Sequence, residues 1–183
     1  MTATPLKIRY YGDPCLRQKA ERVKDVGPAE RMLIQSMLVT MENAKGIGLA
    51  APQVGINQRI FVVDAGQGPI VFINPEILKR EGDLEVLEEG CLSIPDVTIN
   101  VKRRQKVVVK YMDENGRVCQ KEFSDLTARV IQHENDHLDG KMIVDYATLP
   151  KKLRIKKKLK DLENGIIPPP SKEEDSDDSN PER

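Results

Sequence analysis

Only two histidines occur in the 183-residue chain, and they stand four positions apart in His133-Glu134-Asn135-Asp136-His137. On a helix that spacing puts both imidazoles on one face, one turn apart, where they reach a single metal ion. Glu134, beside the first imidazole, is placed to take a proton from a metal-bound water. Short patterns of this kind arise by chance, but chance explains poorly a pattern that uses every histidine in the chain. A catalytic metal ordinarily has three protein ligands and one open position, so a third ligand is required. With no histidine left, it is a thiolate or a carboxylate. The longer pattern with a third histidine is excluded, because that position holds Ile143.

Cys91, in Glu88-Glu89-Gly90-Cys91-Leu92-Ser93-Ile94-Pro95, is the strongest candidate. Gly90 and Pro95 mark a loop from which a thiol can project, whereas Cys119 lies in a strand pattern and Cys15 near the N-terminal segment. A second reading stays open at this point: Cys91 is ordinary buried packing, and a carboxylate such as Glu163 completes a zinc-peptidase site. A third informative stretch is Gly46-Ile47-Gly48-Leu49-Ala50-Ala51-Pro52-Gln53-Val54-Gly55. Its small residues let backbone approach a ligand closely, and Gln53 adds an amide donor. It is not a dinucleotide fingerprint, since Ala51 stands where the last glycine is needed and no strand precedes it.

These residues need a scaffold. From Ala29 to Lys45, Met32, Leu33, Met37, Leu38 and Met41 recur at close to helical period, predicting a core-facing helix after Gly27-Pro28. IFVVD (60–64) and IVFINP (70–75) read as short buried strands. KVVVKYM (106–112) and RVCQKEF (117–123) flank Asp113-Glu114-Asn115-Gly116 and predict a hairpin. Ser124 offers a cap, Leu126, Val130, Ile131 and Leu138 an apolar stripe, and Gly140 a stop, so a helix from about Asp125 to Asp139 carries the histidines. Beyond Pro150 the run 151–160 holds seven Lys or Arg residues, with Ile155, Leu159 and Leu162 at helical spacing: an amphipathic basic helix. Gly165 and Pro168-Pro169-Pro170 end it, and SKEEDSDDSNPER lacks any apolar residue, which predicts a disordered tail over 165–183 after a domain of 1–164.

Charged residues make up 32%, hydrophobic residues 39%, and the formal net charge is zero, so no global field points to nucleic acid or membrane. No apolar run of signal-peptide length opens the chain, and nowhere do eighteen uncharged apolar residues follow one another. The expectation is a soluble cytoplasmic protein without membrane or nucleotide partners, its three cysteines in a reducing compartment.

GIGLAAPQVG, EEGCLSIP and QHENDHLDG resemble, in order and separation, the three signature motifs of the peptide deformylase family, and IRYYGDPCLRQKA is similar to its N-terminal segment. The resemblance runs from about Ile8 to about Leu162 and does not cover the acidic tail. It implies an α+β fold, with mixed, mostly antiparallel sheets around a central HExxH helix and a C-terminal helix. It implies removal of the formyl group from N-formylmethionyl nascent peptides. It also implies Cys91, His133 and His137 as ligands of one divalent metal, with Glu134 as general base and acid. Gln53 and the Leu92 N–H would bind the formyl oxygen, and Gly48 would hold the substrate backbone. Ile47, Leu126 and Val130 would line a slot for the methionine side chain, although Leu126 and Val130 read equally well as core. Glu89, counted among the substrate-binding residues, would pair with Arg103 and fix the cysteine loop. The thiolate-imidazole set suits Fe(II) or Zn(II), with Ni(II) or Co(II) as substitutes, and the family implies iron. Some relatives dock on the ribosome through a C-terminal helix, which would give the basic helix a partner; its bland alternative is a solvated face.

Overall fold

The structure, a computed structural model, describes residues 3–169; most of the expected tail lies outside them. Five strands, β1 (Gly48–Ala50), β2 (Ile60–Val63), β3 (Ile70–Cys91), β4 (Ile94–Met112) and β5 (Val118–Ser124), pair in chain order. Each is antiparallel to the next. The expected mixed sheet is therefore antiparallel throughout its named strands, and the one parallel contact among the described residues is an isolated bridge between Glu21 and Gln58. Three α-helices, α1 (Pro28–Asn43), α2 (Asp125–Leu138) and α3 (Leu149–Glu163), complete the α+β fold.

Period-two alternation explains why the short strands are apolar without a break. Ile60 and Val62 of β2, with Val71 and Ile73 of β3, face Ile34, Met37 and Met41 of α1. Phe61, Val63 and Phe72 point the other way, toward Ala128, Ile131 and Leu138 of α2. The sheet is thus covered by α1 on one side and α2 on the other, and Phe61 and Phe72 stack at 4.7 Å between ring centroids on the α2 side. Met32, expected in the core, is 47% exposed and sits off the buried stripe of α1.

β3 and β4 run far beyond the two segments expected from sequence. Their outer halves form a long two-stranded arm joined by a two-residue turn at Leu92-Ser93, with Cys91 opposite Ile94. Cys91 is therefore the last residue of a strand rather than a member of a loop. The arm's β3 half is exposed on both faces, so it lacks the burial pattern that advertises a strand, and a register shift between Glu81 and Leu84 further scrambles its alternation. On β4, Val97, Ile99 and Val101 cover Ile155 and Leu162 of α3. The hairpin at 113–117 and the start of α2 fall where expected. Ser124, however, donates its hydroxyl to Asp125 Oδ2 at 2.6 Å instead of capping the helix backbone. Gly140, with φ +70°, turns the chain sharply after α2, and a Cβ there would lie 2.6 Å from the Arg17 carbonyl oxygen.

Candidate metal centre and active site

α2 presents His133 and His137 on one face, with ring centroids 5.0 Å apart. The β3–β4 turn brings Cys91 to meet them, its Sγ 3.2 Å from His137 Nε2. One donor atom from each of Cys91, His133 and His137 lies within 4.8 Å of the others. Four-coordinate ligation by thiolate and imidazole puts donors roughly 3.3–3.8 Å apart, so small side-chain rotations fit this group to one metal ion. Glu163 has no part in it: it ends α3 against Gly12, where a Cβ on that glycine would meet the Glu163 Cα at 2.8 Å.

Electrostatics around the three donors divide the two imidazoles. Burial pushes His137 well below its ordinary value, which favours the neutral form a ligand needs. Burial also lowers His133, but hydrogen bonds with Cys91 and Glu89 outweigh it and raise the group well above the usual range. Glu89 Oε2 lies 3.0 Å from His133 Nδ1 and makes that atom the N–H donor, which turns Nε2 to the ligand group. Burial alone would raise the Glu89 carboxyl; hydrogen bonds from His133 and Arg103 prevail and hold it at about 2. Arg103 donates from Nε and Nη2 to the two Glu89 oxygens, both at 2.9 Å, and from Nη1 to Asp136 Oδ2 at 2.6 Å. The expected Glu89–Arg103 pair is thus formed. Both Glu89 oxygens are engaged by protein, so although the residue borders the cavity, its carboxylate is turned to the ion network and away from a ligand.

Glu134 is 3% exposed and carries an orphan: among the described residues no hydrogen-bond partner meets its Oε2. Burial pushes its carboxyl up to about 7. Gly48 of β1 packs directly on this carboxylate; a Cβ there would collide with Glu134 Oε1 and lie 2.7 Å from Val130 Cγ1. Gln53, 1% exposed, accepts from the Ala50 N–H through Oε1 at 2.8 Å. Its Nε2 is left to donate toward Ser93 Oγ at 3.2 Å and Cys91 Sγ at 3.6 Å. The N-terminal segment braces these parts: Arg9 N–H donates to the Gln53 carbonyl at 2.7 Å and Tyr11 N–H to that of Ser93 at 2.9 Å.

A cavity of about 400 Å³ opens onto Cys91, His133 and Glu134. Ile47, Gly48, Gln53, Leu92, Leu126 and Val130 all border it. Ile47 and Leu126 are about half exposed at its rim and Val130 is buried, so of the two residues that also read as core only Val130 is enclosed. Sequence reasoning did not single out Arg129, Asp136, Tyr146 or Ser93. For Arg129 a signal existed: it stands four residues before His133, a charge on the face that the apolar stripe otherwise keeps.

An α+β scaffold, a helix carrying HExxH and a strand-end thiol define the class: an enzyme with a Cys-His-His group able to hold one metal ion. Residues 5–153 match the model of the polypeptide deformylase family. A peptide deformylase of Thermotoga maritima is 45% identical over 156 residues, covering 85% of this chain and 95% of that protein. One from Synechocystis sp. is 50% identical over 151 residues, 80% of this chain and 81% of its relative. Among solved structures, a peptide deformylase from Synechococcus elongatus in complex with actinonin superposes with a TM-score of 0.81 at 48% identity, covering 86% of this chain and 88% of that one. The peptide deformylase from Thermus thermophilus gives 0.82 at 41% identity, covering 88% of this chain and 99% of its own. The chain belongs to the polypeptide deformylase family. It is an enzyme of that class, a hydrolase of protein biosynthesis, and no helix among its described residues is long and apolar enough to cross a membrane.

Proposed function

We propose that the enzyme removes the N-terminal formyl group from N-formylmethionyl nascent peptides in the bacterial cytoplasm, releasing formate, with Glu134 moving the proton. The observation that carries this reading is the orphaned, buried Glu134 Oε2 beside the Cys91-His133-His137 group at the wall of the cavity. A divalent ion held by Cys91, His133 and His137, Fe(II) by family and Zn(II), Ni(II) or Co(II) as substitutes, would supply Lewis acidity toward water and the formyl oxygen. Glu134 takes one proton from the attacking water as its oxygen bonds to the formyl carbon. It then gives that proton to the methionine nitrogen as the carbon–nitrogen bond breaks, leaving a free amine and formic acid, which releases its acidic proton to solvent as formate. Burial raises this carboxyl above the ordinary glutamate range, the direction that helps it both hold the proton and pass it on.

As the formyl carbon becomes tetrahedral its oxygen gains charge, and Gln53 Nε2 with the Leu92 N–H stabilises it. The Ala50 N–H supports this role for Gln53, because by holding Oε1 it commits the amide's donor end to the Cys91 side. Gly48 borders the cavity beside Glu134, where its backbone holds that of the substrate, and Ile47, Leu126 and Val130 form an apolar slot suited to an unbranched thioether. The test is formate release from a formyl-Met peptide by the metal-loaded enzyme and by Glu134→Gln. The variant should keep stoichiometric metal and lose turnover by at least ~100-fold; turnover within a few-fold of wild type would remove Glu134 from the mechanism.

A second role rests on α3. Its lysines 152, 156, 157 and 160 are exposed, and so are Leu149 and Leu153 on the same helix, which supports docking on the ribosome.

A further inference from the structure

Arg129 is a buried charged side chain at the cavity for which the mechanism has no task. It is 6% exposed and borders the same cavity as His133. Its Nη1 donates to Glu89 Oε1 at 2.9 Å and to the Val101 carbonyl of β4 at 3.0 Å. Its Nη2 donates to the Glu85 carbonyl of β3 at 2.9 Å and lies 3.5 Å from the Glu85 carboxylate. One planar guanidinium thus joins α2 to both strands of the arm and to the carboxylate that holds His133.

We propose that Arg129 is a positioning residue for the metal centre: anchored to both strands of the arm, it clamps Glu89 from the α2 side and so keeps His133 turned with Nε2 facing Cys91 and His137. The proposal rests on the metal-site reading above. Arg103 alone grips Glu89 from β4, and Glu85 pairs with Arg103 in the ladder while Leu87 pairs with Val101. A guanidinium bonded to the carbonyls of Glu85 and Val101 cannot shift without shifting that ladder, so its bond to Glu89 has a fixed origin. Glu89 Oε1 then has two donors and Oε2 has Arg103 and His133. No rotation of the carboxylate keeps all four, which is what fixes the His133 ring. Lysine carries its three donors on one nitrogen, without the planar fork by which Nη1 reaches Glu89 and Val101 while Nη2 reaches Glu85.

The test is Co(II) binding to apo-protein, read by competition with a chelator and by the thiolate-to-cobalt absorption band, for wild type, Arg129→Met, Arg129→Lys, Glu89→Gln and the Arg129→Met/Glu89→Gln double variant. Arg129→Met should weaken cobalt binding about 10- to 100-fold, with a shifted band, and Arg129→Lys should also bind more weakly than wild type. In the Glu89→Gln background Arg129→Met should add no more than about threefold, because the arginine acts through that carboxylate. A lower Tm with wild-type cobalt affinity in both Arg129→Met and Arg129→Lys would make Arg129 a structural strut and overturn the proposal, as would full additivity with Glu89→Gln. If Arg129→Met does not fold, wild-type affinity in Arg129→Lys overturns it. A wild type that takes up no cobalt would remove the metal-site reading itself, and the proposal with it.

Discussion

At the scale of single residues, the site sets a carboxylate that has lost its solvent against donors that have kept their direction. Glu134 has nothing among the described residues on Oε2 and Gly48 pressed against Oε1, so substitution at Gly48 should act on Glu134 without replacing it. Gly48→Ala forces the carboxylate or Val130 aside and should lower kcat about 100-fold or more, by misplacement of a reacting group, while the Co(II) spectrum of the ligand group stays unchanged; an altered spectrum would mean the clash is relieved through the metal ligands. Gln53→Ala should lower kcat by roughly 100-fold, about 3 kcal/mol for one lost donor to the developing charge. An effect confined to KM would limit Gln53 to ground-state binding. At this scale the sequence is most informative. Two histidines at one helical turn and a cysteine between Gly90 and Pro95 are visible without coordinates, because ligand spacing along one helix is a local property. The partners of Glu89 were visible only in part: Arg103 entered through resemblance, and Arg129 becomes its neighbour, as Asp136 becomes that of Arg103, only when the β3–β4 arm and α2 pack.

Among the elements, α2 is the one whose course is written most plainly, since its stripe, start and stop all follow local rules. The β3–β4 arm is the opposite case. Eight of the fifteen residues 76–90 are charged and most are exposed on both faces, so their strand character comes from the ladder with β4 and leaves no hydrophobic period to read. For the same reason Cys91 reads as a loop residue from sequence and proves to be a strand end. α3 is legible in both of its faces: Ile155 and Leu162 are buried against β4, and the lysines face out. Deleting α3 would therefore expose core, and charge reversal is the cleaner probe of docking. Lys152→Glu/Lys156→Glu/Lys157→Glu should reduce co-sedimentation with ribosomes at least about tenfold at low salt and leave formate release from a short peptide unchanged; undiminished co-sedimentation would leave α3 as a solvated face.

For the whole molecule, stability and site share one ion network. Glu89 is held at about 2, below the 4.5 of an unperturbed glutamate, so its contribution is complete above 4.5 and is lost as pH falls through 2. The Glu89→Gln variant should be less stable than wild type at neutral pH by roughly 3 kcal/mol, and its acid unfolding profile should lack the extra loss between those values; parallel profiles would show that Glu89 does not link pH to folding. The same carboxylate orients His133, so the fold cannot loosen there without loosening the ligand group. The most direct test of the metallohydrolase reading is metal content together with formate release from formyl-Met-Ala-Ser, on protein purified without oxygen, wild type beside Cys91→Ser. One metal per chain with formate released, and both lost in Cys91→Ser, is the expected result. Metal retained by Cys91→Ser, or a metal-loaded wild type that releases no formate, would contradict it.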